Sequence, residues 1–120
     1  MNKERRKRTH ECILKLNEII EQLKQNKIND PEIIEEILQN IEELKDEIDD
    51  IYYEEEDAFE NMPESLQDSM RGCTMQDNIS YLENAKANLE EIDFSNVDNF
   101  DKETIQNSIS LAISDLENVE

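Results

Sequence analysis

The sequence is poor in aromatic residues and in apolar residues as a whole. Its 120 residues contain no Trp, and aromatic side chains make up 5% and apolar side chains 36% of the total. We therefore do not expect a thick globular core, because such cores are built from large apolar side chains. The apolar residues that are present are mostly Ile and Leu at helical spacing. This pattern predicts an elongated helical bundle or coiled coil, which needs only a narrow buried seam.

The usual parts of catalytic and metal sites are also missing. His10 is the only histidine, and the chain has no GxSxG motif, no P-loop and no glycine-rich turn. Nucleophilic and phosphoryl-transfer sites depend on such motifs, and di-iron bundles need Glu-x-x-His pairs. We therefore expect no enzyme activity, no cofactor and no dedicated metal site, although the spacing alone leaves a pairing of His10 with Cys73 open.

Two further absences concern the compartment. Cys12 and Cys73 lie far apart and form no CxxC or CxxH motif, which is typical of free thiols in a reducing environment. There is no secretory h-region, and no apolar run approaches the ~18 residues that a membrane span requires. These features predict a cytoplasmic protein that does not bind membranes.

Basic residues are scarce relative to acidic ones. The chain has 32 Asp and Glu against 12 Lys and Arg, a net charge of −20, and five of the basic residues lie in the segment NKERRKR at residues 2–8. The remainder would repel phosphate, so we expect no direct binding of nucleic acid and a basic protein surface as partner. The basic segment could bind nucleic acid or an anionic surface as a short arm, pair with acidic helices of its own chain or of a dimer mate, or fray.

Apolar spacing predicts four helices in a single helical domain over residues 1–120. They cover residues 3–27, 31–61, 74–92 and 101–118, and Asp30, Pro31 and Asp101 supply helix-start signals. The second helix is the most regular, and its about thirty residues would span about 45 Å. The seam steps by three and four through Ile34, Ile37, Ile41, Leu44, Ile48, Ile51, Glu55, Ala58 and Met62, with Glu55 alone out of character. We expect a homodimer, because one chain with such narrow seams would not bury all of them.

The segment AFENMPESLQDSMRG, residues 58–72, interrupts this pattern. Pro63 disfavours helical geometry at the residue before it, and Gly72 is expected to supply a left-handed or tight turn. A linker over residues 62–73 would let the third helix fold back antiparallel to the second, as a long helical hairpin with flanking N- and C-terminal helices. Four side chains are expected to complete the corner, by packing (Leu66, Met70) or by capping (Asn61, Ser65).

Part of this region resembles a known group of proteins. AFENMPESLQ, with the acidic helix before it and NISYLENAKANLEEI after it, is similar to small acidic helical proteins encoded by phages and prophages, over roughly residues 41–92. The most specific matches are Ala58, Phe59, Asn61, Pro63, Glu64, Ser65, Leu66 and Gln67. The chain departs from the pattern at Cys73, in the loop 93–101 and in the final helix. The resemblance implies a phage setting in a host cell and no particular activity.

The second helix is unusually acidic. From residue 46 to residue 60 it has nine carboxylates and no Lys or Arg, or about one carboxylate per 2.5 Å of helix. Duplex DNA carries one phosphate per about 1.7 Å of axis, or 3.4 Å per strand. A rod of this charge density could occupy a basic groove meant for nucleic acid, as a DNA mimic does. Tyr52, Tyr53 and Phe59 could add an aromatic anchor or pack at the edge of the seam.

Two functions are therefore compared. The first is a non-enzymatic phage or mobile-element inhibitor that occludes the nucleic-acid-binding surface of a basic host protein such as a defence nuclease or CRISPR effector. The second is a structural or adaptor coiled coil whose charge serves only solubility. For the first, the predicted partner-binding residues are Asp46, Glu47, Asp49, Asp50, Tyr53, Glu54, Glu56, Asp57 and Glu60.

Overall fold

The computed structural model describes residues 1–25, 30–95 and 97–120, apart from the side chains of Gln25 and Asn99. Within these ranges the chain is helical and contains no strand, which confirms the all-α prediction. The helices are α1 (Lys3–Gln25), α2 (Pro31–Glu60), α3 (Glu64–Gln67), α4 (Met70–Glu90) and α5 (Lys102–Glu117), with a short 3-10 helix at Val97–Asn99 in the connection that the sequence predicts to be a loop.

The four long helices form an elongated bundle. α2 packs against α1 and α4, and α5 closes the ring by packing against the same two helices. Connections of this length make consecutive helices antiparallel, so α2 and α4 form the predicted hairpin. The molecule measures 55 × 23 × 20 Å, which confirms the elongated shape.

The predicted stripes meet in one core along the bundle axis. Leu16, Ile48, Leu82 and Ile109, one from each long helix, are each 0% exposed. The seam of α2 is buried from Ile34 to Glu55, whereas its last two positions, Ala58 and Met62, are half-buried. Since the stripes cover one another within one chain, the reason for expecting a homodimer no longer holds. The homodimer itself stays a prediction.

The starts of two helices follow the predicted capping. The Asp30 carboxylate accepts a hydrogen bond from the Glu32 amide at 3.0 Å, with Pro31 as the first helical residue. Asp101 caps α5 in the same way, accepting from two amides of the first turn. A hydrogen bond from the Thr104 hydroxyl at 2.9 Å, together with those from the amides, lowers the pKa of the Asp101 carboxyl. The predicted break NKIND lies mostly outside the described residues, as do the last two residues of the first predicted helix.

The corner between α2 and α4 differs from the prediction. The expected linker over residues 62–73 contains α3 and the first turn of α4, which begins at Met70. Gly72 has no positive φ and is helical, so it forms no left-handed turn. A Cβ built on it would lie 2.1 Å from the Gln67 carbonyl oxygen, so the glycine serves the close approach of α4 to α3.

Side chains at this corner also differ from the prediction in their capping and packing roles. Ser69, rather than Ser65, caps the following helix, accepting from the Gly72 amide at 3.3 Å. Asn61 ends α2 through its backbone amide. Leu66 and Met70 do not pack under the corner, because their exposed fractions are 47% and 87%. The corner is therefore closed by polar groups and by the close approach of α4 to α3 at Gly72, without Leu66 or Met70.

Candidate protein-binding surface

The side of α2 that points away from the core is lined with carboxylates. They lie at the heptad positions opposite the seam, where successive turns bring residues of spacing three, four and seven onto one surface. Their side chains are exposed, and the single basic residue of α2, the half-buried Lys45, lies at the edge of that surface with its Nζ 4.0 Å from Asp46 Oδ1. We call this surface the acidic face and define it by Glu32, Glu35, Glu36, Glu42, Glu43, Asp46, Asp50, Asp57 and Glu60.

On the α1 side of this face, Arg8 holds two carboxylates. Its Nε donates to Glu47 Oε1 at 2.7 Å and its Nη1 donates to Glu54 Oε2 at 2.6 Å. The two carboxylates are seven residues apart, which places them two turns apart on the same side of α2. These hydrogen bonds raise the pKa of the Arg8 guanidinium, so it stays charged. The basic N-terminal segment thus pairs with an acidic helix of its own chain, which is one of the readings the sequence left open.

On the α4 side of the acidic face, Lys86 binds a carboxylate of α2, as Arg8 does on the α1 side. Its Nζ donates to Asp49 Oδ1 at 2.9 Å and lies 4.9 Å from the ring centroid of Tyr52 and 5.6 Å from that of Tyr53. Both distances are within the range of cation–π attraction. A hydrogen bond to Glu56 raises the pKa of Tyr52 to about 12, so this phenol stays neutral. Tyr52 thus packs at the seam edge, whereas Tyr53 is 53% exposed beside the acidic face.

Glu55 is the one carboxylate of this stretch that is buried, with an exposed fraction of 0%. One of its oxygens lies 3.7 Å from the Met1 amino nitrogen and 3.7 Å from Arg5 Nη2. Neither carboxylate oxygen accepts a hydrogen bond. Two cations therefore balance its charge, but its hydrogen-bonding capacity is unmet inside the bundle. Its place in the seam is structural, so it does not contribute to the acidic face.

The predicted partner-binding residues separate into two groups. Asp46, Asp50, Tyr53, Asp57 and Glu60 are exposed on the outer side of α2. Glu47, Asp49, Glu54 and Glu56 are half-buried at its flanks, three of them in ion pairs with Arg8 or Lys86 and the fourth hydrogen-bonded to Tyr52. The structure thus brings the first group together as one outward surface. It assigns Glu47, Asp49 and Glu54 to contacts between helices and Glu56 to a contact with Tyr52 within α2.

This division lowers the charge density expected from the sequence. Counting the exposed residues alone, nine carboxylates from Glu32 to Glu60 cover about 42 Å, or one per about 5 Å. The sequence-based value of about one per 2.5 Å included paired and buried groups. The exposed density is nearer to that of a single nucleic-acid strand, one charge per 3.4 Å, than to that of a duplex.

The acidic face also extends further than predicted. Five of its members lie before Asp46 and were not among the predicted residues: Glu32, Glu35, Glu36, Glu42 and Glu43. The signal was present in the heptad, because two of its columns hold a carboxylate at each of four successive repeats. Those columns are residues 35, 42, 49 and 56 and residues 36, 43, 50 and 57. The dense segment at residues 46–60 is thus only one part of a longer repeat.

The described residues were compared with three other kinds of site: a metal site, a membrane-spanning helix and a pair of His10 with Cys73. No group of three or more His, Cys, Asp or Glu side chains in the described ranges is arranged to hold a metal ion, and no helix there is long and apolar enough to cross a membrane. His10 is seven residues, or about 10 Å, along α1 from its first residue Lys3, and Met1 just before α1 lies beside Glu55. Cys73 lies beyond the level of Glu55 at the corner, so the fold does not bring the two side chains together.

A groove runs between α1 and α2. Its rim carries charges of both signs, including Lys15 and Glu43, and its floor includes the buried Cys12. Burial raises the pKa of the Cys12 thiol to about 12, so the thiol stays protonated and unreactive at neutral pH. The groove therefore offers no activated nucleophile.

Comparison with known proteins gives no relative: no family model matches the chain, and neither a curated protein nor a solved structure is significantly similar to it.

Proposed function

We propose that this chain is a non-enzymatic protein of a phage or mobile element, that it acts in the host cytoplasm, and that it binds a basic host protein through the acidic face of α2. In this proposal it occludes a surface that the host protein uses for nucleic acid, as an inhibitor of a defence nuclease or CRISPR effector would. The observation that carries it is the row of nine exposed carboxylates along α2, a helix whose single basic residue is the half-buried Lys45, 4.0 Å from Asp46. The phage setting rests on the resemblance of residues 41–92 alone.

The positions of the basic side chains in the bundle support binding through the acidic face. Arg8 and Lys86 neutralise the flanks of α2, and among the described residues of the acidic face only Asp46 has a described cation, Lys45, within 4.0 Å. An ordinary solvated helix gains a few tenths of a kcal/mol from each i,i+4 pair of opposite charges, and the acidic face forgoes these pairs. α2 is about 45 Å long and packs against α1 and α4, so the backbone that carries the carboxylates is held in place. Attraction to a basic surface then needs little reorganisation.

The exposed charge density narrows the expected target. One carboxylate per about 5 Å is too sparse to reproduce both strands of a duplex but comes near the density of one strand. A groove that binds single-stranded DNA or RNA therefore matches the acidic face better than one that encloses a duplex. Tyr53, exposed within the face, adds an aromatic ring that could stack on an arginine of such a groove.

The second candidate, a structural or adaptor bundle, is favoured by the intrachain pairs. Arg8 joins α1 to α2 and Lys86 joins α4 to α2, so part of the acidity serves helix packing. The two functions differ in the role of the acidic face. An inhibitor would bind its partner through these carboxylates, whereas a scaffold would not need them.

A charge-reversal experiment distinguishes the two. One variant carries Glu43→Lys, Asp50→Lys and Asp57→Lys on the acidic face. A matched control carries Asp77→Lys, Glu91→Lys and Glu117→Lys, three exposed positions outside α2 that change the net charge by the same amount. Each protein is used to capture partners from a bacterial lysate at low and at high salt, and the captured proteins are identified by mass spectrometry.

We expect the parent and the control to retain the same basic nucleic-acid-binding protein, released by salt or by added single-stranded DNA. The acidic-face variant should lose it. Equal capture by both variants, or recovery of the chain alone, would contradict the proposed function and favour the scaffold.

A further inference from the structure

The corner between α2 and α4 extends beyond the rest of the bundle. The Met1 amino group lies beside Glu55 on α2, and the Asn78 side chain on α4 is hydrogen-bonded to the backbone of Glu120. Residues 58–76 lie beyond these two levels, and we call them the hairpin tip. Within the tip, all of which the structure describes, only Gly72 and Met75 are buried. The tip is therefore a two-helix projection whose outer side no described residue of α1 or α5 covers.

The tip exposes two large apolar side chains. Met70 is 87% exposed and Leu66 is 47% exposed, four residues apart on α4 and α3. Phe59 and Met62 lie half-buried in the same tip. Exposure of a single apolar side chain is ordinary, but several within one short projecting segment mark an interaction surface.

The apolar side chains are not needed to form the corner. Gln67 Nε2 donates to the carbonyls of Phe59 and Met62, each at 3.2 Å, and satisfies the end of α2. Ser69 caps α4, and the absence of a side chain at Gly72 lets α4 approach α3. These polar and steric features hold the backbone of the tip, so Leu66 and Met70 are free to serve another purpose. A rigid backbone also presents them with little entropic cost on binding.

The charge around the apolar side chains indicates what they contact. Glu60, Glu64 and Asp68 are exposed in the tip, and Arg71 is its single basic residue. A second copy of a chain with net charge −20 would be repelled, as would an anionic lipid surface or a nucleic acid. A protein surface with an apolar pocket and a basic rim complements both properties.

We propose that the hairpin tip docks into an apolar pocket rimmed by Lys or Arg on the partner protein, with Met70 and Leu66 as the anchoring side chains. Methionine suits this role, because it is enriched in interfaces and its flexible side chain adapts to the shape of a pocket. The inference rests on the proposed function in one respect, since it also takes the partner to be basic. It adds specificity, which dense charge alone does not supply.

The test follows the four methionine methyl groups by NMR, in protein labelled with ¹³C-methyl methionine. The protein is titrated with a synthetic amphipathic helical peptide of Leu and Lys, and separately with a peptide in which every Leu is replaced by Gln. We expect the Met70 signal to shift and saturate with the Leu–Lys peptide, at an affinity about tenfold higher than that for the Gln–Lys peptide. Met70→Gln should remove most of this difference, whereas Leu111→Gln, at a 56% exposed position on α5, should leave it unchanged.

Other outcomes would overturn the inference in distinguishable ways. Equal affinity for the two cationic peptides, without a Met70 shift, refutes docking at the tip and leaves the proposed function standing. Failure of both cationic peptides to bind counts against the proposed function as well. A Met70 shift that depends on protein concentration alone assigns the tip to self-association. A Met70 shift on adding vesicles of phosphatidylcholine and phosphatidylglycerol assigns it to lipid, and either result overturns the proposal.

Discussion

A Cβ built on Gly72 would lie 2.1 Å from the carbonyl oxygen of Gln67, a separation that real Cβ atoms do not tolerate. The obstacle is backbone and not the flexible end of a side chain, so α3 or α4 would have to move. The one glycine of the chain thus marks where two helices approach most closely at the corner.

This approach predicts the effect of Gly72→Ala. Alanine favours a helix interior over glycine by about 1 kcal/mol. Overpacking usually costs about 1–3 kcal/mol, and we expect the upper part of this range, about 2–3 kcal/mol, because the obstacle is backbone. We expect a net loss of about 1–2 kcal/mol in the free energy of unfolding, measured by urea denaturation. Gln76→Ala, at an exposed position of the same helix, should change stability by less than about 0.5 kcal/mol. A Gly72→Ala protein as stable as the parent would show that the corner adapts without cost.

The burial of Glu55 predicts that two substitutions will change the free energy of unfolding in opposite directions. Glu55→Leu replaces a desolvated, incompletely hydrogen-bonded group by a seam residue, and its two cations, Arg5 at 13% exposure and the Met1 amino group just before α1, can turn toward water. We expect stability to rise by about 1–2 kcal/mol. Arg5→Leu leaves Glu55 buried with one cation fewer and should cost about 3 kcal/mol.

Thermal and urea unfolding of these two variants provide the measurement. If Glu55→Leu destabilises the protein as much as Arg5→Leu does, then the ion group contributes net stability and the argument from desolvation is wrong.

The Arg8 contacts predict a modest coupling that depends on salt. Glu47 and Glu54 are 39% and 44% exposed, so water screens both pairs. A double-mutant cycle of Arg8→Gln with Glu54→Gln should give about 0.5–1 kcal/mol at low ionic strength, and less at 1 M salt. A coupling that is unchanged by salt would indicate packing of the aliphatic chain of Arg8 and not charge.

The two thiols should differ in reactivity. Cys73 is exposed on α4, whereas Cys12 is 2% exposed and burial raises its pKa to about 12. We expect one equivalent of a thiol reagent such as DTNB to react rapidly with the native protein at pH 8, and a second only in denaturant. Cys73→Ser should remove the rapid phase. Two rapid equivalents in the native state would show that α1 opens readily.

Regular spacing made the helices predictable. The α2 seam repeats without a slip over four heptads, and local signals such as Asp30 and Asp101 depend on neighbours two or three residues away, which the sequence displays. The corner was harder, because glycine is common both in turns and at close approaches. The contact of Gly72 that decides between them is with the end of a different helix.

The surface was predictable only in part for a similar reason. The acidity of α2 is visible in the sequence, but the partners of its flanks are 37 to 46 residues away in the chain. Spacing within α2 could not show that Glu47, Asp49 and Glu54 would be paired while Asp50 and Asp57 stayed exposed. That distinction depends on which side of α2 each neighbouring helix occupies.

α2 runs without interruption from the four-helix part of the bundle to the hairpin tip. The acidic face and the exposed apolar side chains of the tip are thus parts of one stiff body, set at a fixed angle to each other. A binding partner that engaged the face alone could slide along the rod or roll around it, because like charges repeat along its length. Engagement at the end as well would set both the rotation of the rod and its position along its axis, and so select one docked orientation.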